Sequence, residues 1–239
     1  MWKMEFHPQK CQILRITNKR KITQGNYFIH NIPLQQTNTA KYLGVIIDST
    51  LKWKDQYNTI IKKANNVLAF LNRNIKDCPD NVKASCYKTL VRPILEYGCA
   101  VWDPHFKVDI ENIEKVQKRA ARFITGNYVY EPGNTKINMQ KLNLKSLEER
   151  RAALKLHLFF KSQQNLIDLP NDILTHNTNP TRRGNSGYVI PISNVDSHLY
   201  SFYPNSIRLW NALPSTVRNY HNVDSFSNEL HKLTLRPTW

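Results

Sequence analysis

Apolar residues recur at helical spacing through the middle of this chain. Between Asp55 and Asn74 they follow one another at spacings of three, one, three, three, one and three residues, which predicts an amphipathic helix. The apolar positions are Tyr57, Ile60, Ile61, Ala64, Val67, Leu68 and Leu71. Three cations lie off this stripe: Lys62, Lys63 and Arg73. Such a helix packs one face into a core and leaves its cations outside.

A second helix is predicted after the break at Cys78-Pro79-Asp80. The Asp80 carboxylate is expected to cap it by accepting hydrogen bonds from free amides of the first turn. The helix continues to Trp102-Asp103-Pro104, where proline removes a backbone donor and ends it. Its apolar residues include Leu90, Ile94, Leu95 and Val101. Pro93 lies inside this helix and is expected to kink it.

A third helix begins near Asp109 and has two stripes. One side carries the apolar residues Ile113, Val116, Ala120, Phe123 and Ile124. Another side carries cations at i, i+3, i+4 and i+7, namely Lys115, Lys118, Arg119 and Arg122. This spacing lets all of these cations meet one phosphate track, although an ordinary solvated face has the same pattern. Successive helices with short connections and one apolar face each predict a small bundle.

The residues up to Asp48 have strand-like patterns instead. Runs rich in β-branched and aromatic residues, separated by turn residues, predict an antiparallel hairpin plus a third strand. The runs are CQILRI from Cys11, YFIHN from Tyr27 and AKYLGVIID from Ala40. Gly44 in the last run is expected to let a backbone approach closely.

The region after Gly126 is less regular. Ser146 opens another helix, with Glu149 completing a capping box, and its buried side is predicted to hold Leu147, Leu154, Leu158 and Phe159. The predicted fold class is therefore α+β and mainly α. A small antiparallel sheet (1–50) precedes a three-helix bundle (51–130) and a less regular helical extension (131–239). That extension has a helix at about 146–164, a loop-rich stretch at 165–203 and terminal helical segments.

The charge of the chain favours a polyanionic partner. Against 34 Lys and Arg there are 18 Asp and Glu, which gives a formal charge of +16. No apolar run is long enough to span a membrane, and the start lacks a signal-peptide core. We therefore expect an intracellular protein, nuclear or cytoplasmic and not secreted, with no membrane partner. The four cysteines have no metal-ligand spacing and are expected to be reduced thiols.

Candidate chemistry is otherwise sparse, and we predict no catalytic or metal-binding residue. Glu111 and Glu114 are expected to form helical salt bridges with Lys115 and Lys118. Histidines are scattered, and no nucleophile elbow, zinc-protease or P-loop motif occurs. Some aromatic side chains could stack on bases, although aromatics at such spacings are usually core. These are Tyr42, Trp53 and Trp210.

Several motifs in the same order resemble the C-terminal part of jockey-like reverse transcriptases from non-LTR retrotransposons. They are KYLGVIID with Trp53, LVRPILEYGCAVWDP, IEKVQKRAARFI, the L-x-x-R-R of Leu147 to Arg151, and SFYPNSIRLWNALP. The resemblance implies a palm end up to about Asp48, in which Lys10 follows the catalytic strand. His7 stands where the family usually has asparagine. KYLGVIID resembles the primer-grip hairpin, which implies that Tyr42, Leu43 and Gly44 lie near the primer end.

The same resemblance implies that the helices from Asp55 to Thr125 are the thumb and that their cations face the backbone of the template and product duplex. These cations are Lys115, Lys118, Arg119, Arg122, Lys62, Lys63 and Arg73. The family's metal-binding aspartates are expected upstream of this sequence, which contains no Asp-Asp pair. Mg²⁺ is accordingly expected only for the complete polymerase, and this chain alone is expected to be inactive and to carry no cofactor.

The resulting expectation is a truncated RNA-directed DNA polymerase that retains sequence-independent binding of template and primer. Its expected partners are RNA, DNA or their hybrid, and the missing fingers and palm of the polymerase. Two alternatives stay open. The first is a helical protein-interaction module, and the second is a domesticated nucleic-acid-binding protein without polymerase activity.

Overall fold

The computed structural model describes residues 5–17, 19, 21, 25–129, 131–169, 174–177 and 187–235. The chain forms two compact units, Met1–Thr59 and Ile60–Trp239. Short strands occur in the first unit and helices dominate the second, which confirms the predicted α+β, mainly α class. The predicted division into three segments stays a prediction. Residues 170–173 and 178–186 of the predicted loop-rich stretch lie outside the described residues.

The first unit contains paired short strands. After a 3₁₀ turn at Pro8–Lys10, β1 (Gln12–Leu14) pairs in parallel with β4 (Gln35–Thr37). Two antiparallel hairpins are formed by β2 (Phe28–Ile29) with β3 (Ile32–Pro33), and by β5 (Thr39–Tyr42) with β6 (Val45–Asp48). Antiparallel pairing is confirmed for these two hairpins, whereas the first predicted strand, β1, pairs in parallel. The prediction of one strand over AKYLGVIID is wrong, because this run folds back on itself.

The reversal between β5 and β6 takes only two residues. Tyr42 pairs with Val45, and the intervening Leu43 and Gly44 have φ angles of +46° and +85°. Positive φ at both central positions is the requirement of a type I′ hairpin turn, whose twist matches the flanking strands. Gly44 therefore supplies turn geometry, and the close backbone approach expected for it stays a prediction.

The hairpin leads into α1 (Lys54–Ile75) through a hydrogen-bonded turn. The Asp48 carboxylate accepts hydrogen bonds from the backbone N–H groups of Thr50 (2.7 Å) and Trp53 (3.0 Å). Burial acts to raise the pKa of Asp48, but a hydrogen bond from the Thr50 hydroxyl, together with these backbone hydrogen bonds, outweighs it and holds the pKa below its ordinary value. Gln56 accepts from the Ile46 N–H at 2.9 Å, so the start of α1 is fixed to β6.

The predicted second helix is broken into pieces. It consists of α2 (Asp80–Cys86), a π-helical turn (Tyr87–Val91), α3 (Arg92–Glu96) and α4 (Cys99–Trp102). Proline has no N–H to donate. The chain widens into the π turn just before Pro93, where the Arg92 N–H reaches back five residues to the Tyr87 carbonyl. The capping prediction for Asp80 is wrong, because Asp80 is the first helical residue and its side chain caps nothing.

The third predicted helix is α5 (Lys107–Thr125), and its apolar stripe is confirmed. All five predicted core positions on it are buried, namely Ile113, Val116, Ala120, Phe123 and Ile124. Leu68 and Leu71 of α1 and Leu95 of α3 are also buried. The helix ends at Gly126, whose φ of +63° is the left-handed conformation common after a helix C-terminus.

A second core lies in the C-terminal part of the chain. The helices are α6 (Asn134–Lys141), α7 (Leu147–Gln163), α8 (Asp196–Leu199), α9 (Phe202–Asn211), α10 (Ser215–Arg218) and α11 (Val223–Lys232). Phe160 of α7 stacks on Phe226 of α11 with ring centroids 4.2 Å apart. Trp210 of α9 packs beside both rings. The structural assignment of Trp210 is therefore confirmed.

The start of α7 is as predicted, but its buried face is not. Ser146 and Glu149 form the capping box. Leu147 and Phe159 are buried, whereas Leu154 is exposed and Leu158 is only half-buried. The buried face instead passes through two charged residues, Arg151 and Lys155. Their burial is explained by an acidic partner described below.

Candidate nucleic-acid interface

The cations of α5 share one open groove. Its lining also includes residues from the segment that leads into α6 and from the first turn of α6. The lining residues are Lys115, Lys118, Arg119, Arg122, Val129, Glu131, Pro132 and Thr135. The groove has a volume of about 560 Å³. Lys115 and Arg119 are exposed, and Lys118 and Arg122 are half-buried. The helical spacing predicted to align these residues therefore places them on a common surface, with Glu131 as the acidic residue of the lining.

Two of the groove cations form hydrogen bonds with uncharged side chains. Lys115 donates to Asn112 Oδ1 at 2.9 Å, and Arg119 Nη1 donates to Asn65 Oδ1 of α1 at 2.8 Å. Among the described residues, none of the four groove cations forms an ion pair with a carboxylate. Amide oxygens orient a cation without cancelling its charge, so the groove keeps its attraction for anions.

The predicted salt bridges of Glu114 with these lysines are wrong. Glu114 is buried, where it accepts hydrogen bonds from Gln117 Nε2 and from the Leu147 N–H, each at 2.8 Å. Burial raises the pKa of the Glu114 carboxyl. Its hydrogen bond to Leu147 places a carboxylate at the N-terminus of α7, which is the favourable end of the helix dipole.

Gln117 extends the same buried network. It accepts from the Tyr87 hydroxyl at 2.8 Å and donates to the Lys145 carbonyl at 3.0 Å. Burial also raises the pKa of the Tyr87 hydroxyl, so it stays a neutral donor. The inward side of α5 is thus fixed to the π turn and to the start of α7. This network sets the rotation of α5, and with it the direction in which the groove cations face.

One buried charge cluster was not predicted from the sequence. Asp103, at the corner between α4 and α5, accepts from Arg151 Nε at 2.6 Å and from Lys155 Nζ. Both cations are only 1% exposed. The available signal was their i, i+4 spacing on an otherwise apolar face, combined with the acidic residue at the predicted corner. Nearby, Arg150 binds Glu96 through Nε and Nη2.

The other predicted nucleic-acid-binding cations lie on α1. Lys62, Lys63 and Arg73 are all exposed, and the spacing of eleven residues between Lys62 and Arg73 puts these two on one face. They do not line the α5 groove. Asn65 of α1 contacts Arg119, so the two cationic helices lie side by side.

The predicted primer-grip residues lie in the first unit. Tyr42 and Leu43 are 66% and 73% exposed, and together with Gly44 they form the tip of the β5–β6 hairpin. The predicted palm-end Lys10 is exposed at the end of the 3₁₀ turn. Their functional assignment stays a prediction.

The part of the chain that the structure describes holds neither a metal-ligand cluster nor a membrane-spanning helix. Within these ranges, no three His, Cys, Asp or Glu side chains come close enough to hold a metal ion. In the same part of the chain, no helix combines the length and apolarity that crossing a bilayer requires. The cysteines are free thiols, and burial raises the pKa of Cys99 to about 12, which keeps it protonated.

Comparison with known proteins gives three informative relatives. The probable RNA-directed DNA polymerase from transposon X-element of Drosophila melanogaster is 30% identical over 129 residues, which are 52% of this chain and 14% of that protein. The RNA-directed DNA polymerase from mobile element jockey of Drosophila funebris is 30% identical over 132 residues, with the same coverage of 52% and 14%. The probable RNA-directed DNA polymerase from transposon BS of Drosophila melanogaster is 27% identical over 157 residues, covering 62% and 17%.

The similarity covers only part of this chain and only part of each relative. The chain spans less than a fifth of the length of each of these relatives. No family model matches it, and no solved structure matches it significantly.

Proposed function

We infer that this chain, whose curated homologues over about half of its length are RNA-directed DNA polymerases of non-LTR retrotransposons, binds RNA, DNA or an RNA–DNA hybrid through the cations of α5. In this proposal the bundle of α1 to α5 is the thumb of such a polymerase. The β5–β6 hairpin is the primer grip. The observation that carries the proposal is the groove in which four cations meet, none of them in an ion pair with a carboxylate of the described residues.

The groove suits the phosphate backbone of a nucleic acid. Its cations extend from Lys115 to Arg122, a span of roughly 10 Å along α5 at 1.5 Å per residue, so more than one phosphate can be contacted. Cations that contact phosphates position a nucleic acid without distinguishing its bases. Binding is therefore expected to be independent of sequence and strongly dependent on salt.

The orientation of this surface depends on neutral and buried groups. Asn65 and Asn112 hold the outer ends of two cations, and the network of Glu114, Gln117 and Tyr87 fixes the inner side of α5. A surface that is organised before binding loses less conformational entropy when the ligand arrives. The arrangement supports a stable groove for a duplex more than a set of independently moving lysines.

Polymerisation is assigned to the complete polymerase. Two-metal phosphoryl transfer needs carboxylates that hold Mg²⁺, and the sequence contains no Asp-Asp pair like the one expected of the polymerases that it resembles. We therefore propose binding without nucleotide addition for this chain alone.

The test is a titration of a fluorescently labelled RNA–DNA hybrid with the purified chain across a salt series. We expect the logarithm of the binding constant to fall linearly with the logarithm of salt concentration. Replacing Arg119 or Arg122 with Gln should weaken binding to all sequences and reduce the salt slope by about 1 for each phosphate contact removed. A flat salt dependence of the unaltered chain overturns the proposal.

The matched control is Lys232→Gln on α11. Lys232 is exposed and already forms an ion pair with Glu229, so this variant removes one unit of charge from a helix outside the groove. It should leave the slope unchanged. Loss of binding equal to that of Arg119→Gln would mean that only the total charge matters, and the groove assignment would be wrong.

A second candidate function is docking onto another protein through the first unit. This unit exposes several large apolar side chains, including Phe6 at 78% and the hairpin tip at Tyr42 and Leu43. The fitting partner is the fingers and palm part of a polymerase. Light scattering of the purified chain, alone and mixed with that part, tests this candidate. If the chain is a monomer that binds neither this part nor nucleic acid, both candidate functions are wrong.

A further inference from the structure

A second groove lies beside the cationic one, between α1 and α5. Its lining combines apolar and amide groups, from Asn65, Leu68, Ala69, Asn72, Arg119, Phe123 and Tyr128. The groove has a volume of about 390 Å³. Leu68 and Phe123 are buried and form an apolar floor, while Asn72 is exposed at the rim. No part of the proposed phosphate binding uses this floor.

Tyr128 stands at this groove with 60% of its surface exposed. The segment that carries it is fixed by an asparagine network and is not a free loop. Asn127 accepts from the Val129 N–H at 3.1 Å and donates to Asn134 Oδ1 at 2.9 Å. Asn134 in turn donates to the Val129 carbonyl at 2.7 Å. An exposed aromatic ring on a rigid segment is the arrangement with which proteins stack unpaired bases.

The two grooves are joined by Arg119, which lines both. Its Nη1 donates to Asn65, and a guanidinium carries five N–H donors, so others stay available for a phosphate. The Asn65 oxygen is used by Arg119, but its amide N–H₂ group can still donate. Asn72 lies seven residues further along α1, on the same face, and offers both a donor and an acceptor.

We propose that the groove between α1 and α5 receives one unpaired nucleobase of the nucleic acid whose phosphates lie along the α5 cations. Tyr128 stacks on the face of the base, and Asn65 and Asn72 form hydrogen bonds with its edge. Because amide side chains can both donate and accept, different bases can be accommodated. The inference rests on the proposed function and deepens it, since it names the kind of nucleic acid that the site prefers.

The preferred ligand follows from this geometry. In a blunt duplex the bases are paired and stacked, so only phosphates reach the chain. A hybrid with a single-stranded overhang presents the same backbone chemistry and also offers a base that can enter the groove. We therefore expect the overhang substrate to bind more tightly than a blunt hybrid with the same number of phosphates.

The experiment compares these two substrates by fluorescence anisotropy at one salt concentration, with 2-aminopurine in the overhang as a second signal. Stacking should quench the 2-aminopurine. Tyr128→Ala should weaken overhang binding by roughly fivefold or more, the lower end of the range for removing an aromatic stacking partner. It should leave blunt-hybrid binding unchanged, and Tyr128→Phe should retain the overhang preference. Phe70→Ala is the matched control, because Phe70 is an equally exposed aromatic of α1 that does not line the groove.

The outcomes separate this inference from the proposed function. Equal binding of overhang and blunt substrates, or an overhang preference that survives Tyr128→Ala, overturns the base-binding groove while salt-dependent binding through α5 stands. Absence of salt-dependent binding to either substrate overturns the proposed function, and the groove with it. A loss of the overhang preference confined to Tyr128→Ala and Asn72→Ala supports the inference.

Discussion

Arg151 donates a hydrogen bond from Nε to Asp103 Oδ1 at 2.6 Å inside the protein. The two side chains are 1% and 7% exposed. Lys155 shares the same carboxylate, and among the described residues the Arg151 Nη1 and Nη2 atoms have no hydrogen-bond partner. Asp103, at the corner before α5, is therefore the acidic partner of two buried cations on α7. These ion pairs link the corner to α7, so the angle between α5 and α7 depends on Asp103.

Replacing Asp103 with Ala should destabilise the second unit strongly. The substitution leaves two buried cations without a counter-charge, and breaking a buried pair in this way typically costs about 3–5 kcal/mol. Urea denaturation followed by circular dichroism measures the loss.

The control for this experiment is Asp80→Ala. Asp80 lies 3.9 Å from Lys83, and its side chain is 52% exposed, so its removal should cost roughly 1 kcal/mol or less. Equal losses for the two variants would contradict a special role for the buried cluster.

Trp102→Ala tests whether the same corner affects binding only through stability. The Trp102 side chain is fully buried, and its Nε1 donates to the Tyr97 carbonyl at 2.8 Å. Truncating a buried tryptophan typically costs about 3–5 kcal/mol. Because Trp102 contacts no phosphate in the proposed complex, apparent affinity should fall while the salt slope of the folded fraction stays that of the unaltered chain.

The salt series for Trp102→Ala is measured beside Val101→Ala, which alters an exposed neighbour and should change neither quantity. A reduced salt slope in Trp102→Ala without a loss of stability would mean that the corner contributes directly to phosphate binding.

Local periodicity predicted those structural features that depend only on residues close together in the sequence. The two stripes of α5 follow from the order of residues within one helix, and the structure bears out the buried one from Ile113 to Ile124. Periodicity could not predict the buried face of α7. Arg151 lies on that face because it forms an ion pair with a carboxylate 48 positions earlier in the chain. The Asn127 and Asn134 network that presents Tyr128 is likewise a product of tertiary structure.

The hairpin at Leu43 shows a second kind of limit. Two-residue hairpin turns are usually signalled by Asn-Gly or Asp-Gly, and Leu43-Gly44 lacks this signal. From its residues alone the run therefore resembles one continuous strand. The turn was expected only from the resemblance to primer-grip hairpins.

Leu43→Asn should stabilise this hairpin, because Asn adopts positive φ more easily than a bulky apolar residue. We expect a gain of roughly 0.5 kcal/mol, and the opposite effect for Gly44→Ala, where φ is +85°. Native-state hydrogen exchange of the β5 and β6 amides measures both changes. Slower exchange in Gly44→Ala than in the unaltered chain would contradict the assigned turn.

The buried Glu114 should make stability depend on pH. Burial raises the pKa of this carboxyl in the folded chain, so between the unfolded and folded pKa values the folded state binds more protons than the unfolded state. The corresponding stabilisation is fully present below the unfolded pKa and is lost as the pH rises through the folded pKa. Glu114→Gln removes this titration, so the free energy of unfolding of the unaltered chain should fall relative to that of Glu114→Gln as the pH rises from acid values through this window. Glu111 lies on the exposed side of α5. The free energy of unfolding of Glu111→Gln should therefore change with pH in the same way as that of the unaltered chain. If the difference between the unaltered chain and Glu114→Gln is the same at every pH, Glu114 does not titrate with a raised pKa, and the network at the start of α7 is anchored by a permanently charged carboxylate.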